Sequence, residues 1–188
     1  VHSIQGVNLS IRPIKPMLFY GQLAFNEFNF NSSAIQIGAV FSGIKGLLWR
    51  GEWNHSGKNV TGPLAMSASQ THYNQFLAHP YGQRFSEVLM LANYKYERFV
   101  SEVGASYVLY DDKVGQNGSA FTYLQTSEQV IGRAEVGFIV NPATNMQFSV
   151  GIFERMGKVR ETPGDINSNT SYLYISFQTA LINRYRDF

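Results

Sequence analysis

The chain has no cysteine, which excludes a disulfide framework, a thiolate metal site and thiol redox chemistry. Charge is also scarce: Asp, Glu, Lys and Arg make up 15% of the 188 residues and leave a formal net charge of +2. With no Lys/Arg run, that balance offers no electrostatic footprint for nucleic acid. No apolar run approaches the roughly 20 residues of a membrane-spanning helix. His2-Ser3-Ile4-Gln5 lacks a basic segment and an apolar stretch, so no signal peptide is expected at Val1. No nucleophile with a base, no acid pair and no ligand set is spaced for chemistry, so neither an enzyme, a cofactor nor a metal site is expected.

Aromatic residues are abundant, with 14 Phe, 11 Tyr and 2 Trp, and glycine is plentiful at 17. That mixture suits strands better than helices. Read at period 2, Val7, Leu9 and Ile11 share one face of a first strand that is expected to stop at Pro13 and Pro16. A second strand alternates Met17, Phe19, Leu23 and Phe25 with polar neighbours and runs into a loop at 29–33. The same pattern recurs at Ile35–Phe41, Leu47–Asn54, Glu87–Tyr96, Phe99–Tyr110, Arg133–Val140, Met146–Ile152 and Tyr172–Leu181. About nine strands are thus expected, all antiparallel.

Two regularities separate the possible all-β folds. Short turns alternate with longer connections at 55–85, 111–131 and 154–170. Outer-membrane barrels have this asymmetry, with short periplasmic turns and long extracellular loops. In addition, one face of nearly every strand is apolar while the other carries Arg50, Glu52, Glu87, Glu102, Arg133 and Glu135. In a soluble sandwich those charges face water. In a transmembrane barrel Arg50, Glu52, Glu102, Arg133 and Glu135 line the lumen, where they either set permeant selectivity or pair across strands to plug it. Trp49, Trp53, Tyr94 and Tyr107 then anchor the barrel at the lipid interface, although tryptophan also stacks on sugars. The expected fold is an antiparallel transmembrane β-barrel in contact with outer-membrane lipid. An odd strand count with open edges would leave backbone groups unpaired in lipid, so residues 1–188 are expected to form the C-terminal portion of a larger barrel.

The connection at 55–85 contains Thr71-His72-Tyr73-Asn74-Gln75-Phe76-Leu77-Ala78-His79-Pro80-Tyr81-Gly82-Gln83-Arg84-Phe85, polar and aromatic and too irregular for a strand. Its candidate contacts are His72, Tyr73, Asn74, Gln75, His79, Tyr81 and Arg84. These groups either tie the loop to its own backbone or contact a saccharide. His72 and His79 match no zinc spacing.

The segment His72–Gly82 resembles the "HYNQPLAHPLG" signature of the capsule-assembly Wzi family of Bacteroidota, which includes RemB-like gliding-motility proteins. Leu18–Gln22 with Asn26–Phe28 resembles its "lYGQ…DEF" strand, Asn141–Asn145 its "NPkTN" turn, and Asn183–Phe188 its "NRYxDF" end. Phe76, Asn26 and Gln83-Arg84 depart from those motifs. The terminal Phe188 also resembles the C-terminal aromatic signal of bacterial outer-membrane proteins. The resemblance implies a barrel of about eighteen strands in the bacterial outer membrane, with long loops at the cell surface. It also implies a non-enzymatic role in surface polysaccharide attachment or in gliding and adhesin machinery, with surface polysaccharide and other outer-membrane proteins as partners. The alternative is a porin or transporter with a charged lumen.

Overall fold

Strands with β-branched and aromatic residues on one face and tight turns between them are what an antiparallel meander requires, and the chain builds one. The computed structural model describes residues 4–26, 29–57, 71–72, 75–76, 84–110, 125–160 and 165–179. The strands are β1 (Ile4–Ile14), β2 (Met17–Asn26), β3 (Asn29–Phe41), β4 (Leu47–Ser56), β5 (Thr71–His72), β6 (Gln75–Phe76), β7 (Phe85–Tyr96), β8 (Phe99–Tyr110), β9 (Gln125–Asn141), β10 (Met146–Arg160) and β11 (Asp165–Gln178). Nine of them form one open antiparallel sheet in the order β1-β2-β3-β4-β7-β8-β9-β10-β11, without a crossover. Among the described residues β1 and β11 each have a single neighbour and do not pair with each other. Among the described residues there is no helix.

The short turns follow local chemistry. Tyr96 and Phe99 face each other across a two-residue turn in which Glu97 takes a left-handed φ of 53°. The β9–β10 turn ends at Asn145 with φ 49°, a conformation asparagine tolerates, and the Asn141 Oδ1 accepts the Ala143 N–H at 3.0 Å. Gly46 has φ 83° and lies against the Lys95 carbonyl, where any Cβ would collide.

Several boundaries differ from the sequence pattern. β1 runs on through Pro13 to Ile14, with its register broken between Ile11 and Ile14, so the proline falls in the irregularity and interrupts no regular ladder pair. The expected loop at 29–33 is strand, and β3 starts pairing with β2 at Asn29. Of the connection expected at 111–131, residues 125–131 are strand. Most of 154–170 is strand too, paired from Glu154↔Ser171 to Arg160↔Asp165. In sequence these extensions are mostly polar and show no alternating apolar face, which reads as loop, but the backbone ladder depends on register and not on side-chain polarity. Within the motif at 71–85, Thr71 pairs with Phe76 and His72 with Gln75, a minimal ladder where none was expected.

The register aligns side chains in rows that cross the sheet, and the two faces have opposite character. One face displays Val7, Leu9, Ile37, Trp53, Val103, Val136, Val150 and Ile175, all exposed. The other holds the buried polar groups, including Asn54, Ser56, Glu87, Ser106, Gln129 and Ser149. Apolar groups outside and polar groups buried is the reverse of a water-facing sheet.

The apolar face is not a rectangle. Its upper margin is Ile35 on β3, whose row continues through His55, Ser86, Leu109, Glu128 and Lys158 to Asn167 on β11. On β11 the last apolar residue of that face is Leu173, six residues nearer the short turns than Asn167. A drop of ~20 Å over six strand spacings of ~4.8 Å means that the band crosses the strands at a tilt of about 35°.

Candidate functional site

The polar face is a bonded wall built around four glutamates. Glu52 on β4 faces Gly38 on β3, which in turn faces Tyr20 on β2. Because Gly38 has no side chain, the Tyr20 ring lies across it, so close that a Cβ at Gly38 would overlap the ring. The Tyr20 hydroxyl thereby reaches past one strand and donates to Glu52 Oε1. Gln36 Nε2 donates to Glu52 Oε2 at 3.2 Å, and Arg50 Nε stands 3.5 Å from Oε1.

The same device recurs in mirror image at the other side of the sheet. Tyr174 on β11 faces Gly151 on β10, and Gly151 faces Glu135 on β9. The Tyr174 ring covers Gly151, and its hydroxyl donates to Glu135 Oε2 at 2.8 Å. Between the two devices, Glu87 on β7 is 5% exposed and accepts from Asn54 Nδ2 at 3.0 Å and Ser106 Oγ at 2.9 Å. Glu102 on β8 pairs with the Arg133 guanidinium. Buried carboxylates need such donors, since an unpaired charge removed from water costs several kcal/mol.

All five of Arg50, Glu52, Glu102, Arg133 and Glu135 therefore lie on the polar face. Arg50 and Arg133 share a row through Leu91 and Gly104, and Glu102 stands directly opposite Glu135. Like charges directly opposite each other destabilise a sheet, and here Arg133 and Tyr174 each take one of the two carboxylates. Arg50 and Arg133 remain half-exposed, with side-chain accessibilities of 42% and 49%. Trp49, Trp53, Tyr94 and Tyr107 are all exposed on the apolar face, and Trp53 stacks on His55 at 6.0 Å. Tyr107 also donates to Glu128 Oε2 at 3.3 Å, where Lys158 forms an ion pair with Glu128 at 3.0 Å.

In the motif at 71–85, Arg84 is buried with φ 59°, and its N–H donates to the Gly57 carbonyl at 3.3 Å. Its Nε and Nη1 have no hydrogen-bond partner among the described residues. His72 and Gln75 are described only through their ladder, while Tyr73, Asn74, His79, Tyr81 and Phe188 lie outside the described residues.

Two features had no signal in the sequence pattern. The Tyr–Gly–Glu bridges depend on which glycine lies between tyrosine and glutamate, which only cross-strand register decides. The same holds for the aromatic row Tyr96, Phe99, Phe138, Phe148 and Phe177, contributed by five consecutive strands of the sheet at the short-turn end of the apolar face. Phe99 and Phe138 meet edge to face at 5.2 Å, and Phe148 and Phe177 lie tilted at 45° with their rings 4.8 Å apart. No family model, no curated protein and no solved structure matches the chain.

Proposed function

We propose that this chain is part of a bacterial outer-membrane β-barrel with a non-enzymatic, structural role in attaching surface polysaccharide or in gliding and adhesin machinery. The observation that carries the barrel is the oblique apolar band. Its tilt of about 35° lies at the edge of the 35–45° that barrel strands adopt. On β8 the apolar residues of that face run from Phe99 to Leu109, ten steps of ~3.3 Å, which at that tilt is ~27 Å of height, against an apolar belt of about 25 Å in outer-membrane barrels. Glu154 and Lys158 on the same face of β10 fall beyond the oblique margin, which rationalises charge on an otherwise apolar surface.

The edges of β1 and β11, unpaired among the described residues, support further strands completing the barrel, because open ladders in lipid cost several kcal/mol for each unsatisfied group. The bonded state of Glu52, Glu87 and Glu135 supports a wall whose charges are tied, rather than a conduit lined by free carboxylates. The role in surface assembly rests on the motif at 72–82. Deleting residues 71–84 from the protein in its native outer membrane is expected to reduce surface polysaccharide retention or gliding while the barrel still inserts. Unchanged retention, gliding and partner recovery would sink the functional half of the proposal. Steady conductance in planar-bilayer recordings would favour the transporter instead.

A further inference from the structure

A groove of about 390 Å³ opens on the polar face at its short-turn end, away from the motif at 71–85. Its polar lining comes from Asn93 on β7, Glu102 on β8, Glu135 on β9, Gln147 on β10 and Gln178 on β11, with Lys95 at its side. The register explains the cluster: Asn93, Glu102 and Glu135 stand side by side in one row, and Gln147 faces Gln178 two rows below.

Three properties of this lining select a ligand. First, Asn93, Gln147 and Gln178 have no side-chain hydrogen bond among the described residues, so each amide keeps its donors and its acceptor available. Second, the carboxylates are each half engaged: Arg133 takes Glu102 Oε1 and Tyr174 takes Glu135 Oε2, leaving Glu102 Oε2 and Glu135 Oε1 as spare acceptors. Third, the formal charges cancel once Arg133 is counted against Glu102, and Lys95 against Glu135, so the groove carries no net charge. Donors and acceptors side by side, no net charge and a size near the small end of the ~300–1,000 Å³ typical of ligand sites suit a hydroxyl-rich neutral molecule, whose hydroxyls both donate and accept.

We propose that this groove binds a neutral saccharide segment, with the three amides and the spare carboxylate oxygens receiving its hydroxyls. This rests on the polysaccharide role proposed above, and in the proposed topology it places a contact inside the lumen at the periplasmic, short-turn end of the wall, opposite the 71–85 motif.

The test is isothermal titration calorimetry on the full protein in detergent, with maltohexaose, laminarihexaose and mannohexaose as neutral probes and hexagalacturonate as the acidic one. At least one neutral probe is expected to bind and hexagalacturonate to bind at least about tenfold more weakly. The Gln147→Ala/Gln178→Ala double variant is expected to weaken neutral binding about tenfold, as the loss of two ordinary hydrogen bonds implies. Asn93→Ala removes the third amide on a different strand, so it gives an independent loss of affinity if the double variant does not fold. Equal binding to both variants, preference for hexagalacturonate, or no binding of any neutral probe overturns the groove assignment. Surface polysaccharide retention in cells carrying the same variants separates the two levels. A protein that binds no neutral probe yet loses retention when 71–84 is deleted refutes the groove alone, whereas loss of neither refutes the polysaccharide role itself.

Discussion

Replacing Val103 with arginine tests the proposed membrane setting more directly than any other change. Val103 is 54% exposed on the apolar face of β8, so in water an arginine there would cost nothing beyond the ±0.5 kcal/mol usual for surface sites. In the proposed barrel it lies four residues from Phe99 and six from Leu109. At about 3.3 Å per residue and the tilt derived above, these separations put it ~11 Å from one margin and ~16 Å from the other, close to the midplane. An arginine at that depth is expected to cost about 2–4 kcal/mol, falling to about 0–1 for Leu109→Arg at the margin. Reversible urea unfolding of the full protein in lipid vesicles, followed by the fluorescence of Trp49 and Trp53, measures both. The gradient is the discriminating quantity, because a surface facing water gives the same small value at both positions. Equal stabilities for the Val103 and Leu109 variants would falsify the lipid-facing assignment.

Further outcomes follow from the polar wall. Gly38→Ala is expected to push the Tyr20 ring off β3 and to cost about 1.5–3 kcal/mol, the worth of a hydrogen bond to a charged group, and Tyr20→Phe to cost a similar amount. Since both break one interaction, the double variant should cost far less than their sum in a double-mutant cycle; additive losses would refute the bridge. Gly132→Ala is the matched control, because nothing lies within 4 Å of its Cβ position, and its unfolding midpoint should be unchanged or raised. Glu87→Ala should cost more than an exposed glutamate does, as Asn54 and Ser106 lose a buried acceptor at about 1–3 kcal/mol. By contrast, Lys158→Ala removes a half-exposed ion pair with Glu128 and should cost no more than about 1 kcal/mol, an effect that high salt erases.

The period-2 pattern by itself determined that the chain is all-β, where most strands lie, and which residues share a face. Ile35, Ile37 and Phe41, or Phe148, Val150 and Ile152, alternate because successive strand side chains point to opposite sides, a constraint local to each strand. It also separated Glu52, Glu102 and Glu135 from the apolar residues before any partner was known. Strand ends were less legible. Glu154–Arg160 and Asp165–Thr170 are mostly polar and carry no period-2 apolar face, and their ladder is held by backbone groups common to all sequences. Tertiary structure alone decided which residues meet across strands: Tyr20 with Glu52 over Gly38, Glu102 beside Glu135, and Asn93 in the same row. Tyr20 and Glu52 are 32 positions apart and Glu102 and Glu135 come from strands joined by a long connection, so these contacts depend on cross-strand register rather than on the pattern within either strand. The oblique margin of the apolar band arises in the same way, since it is a relation among strands and exists only once they are aligned.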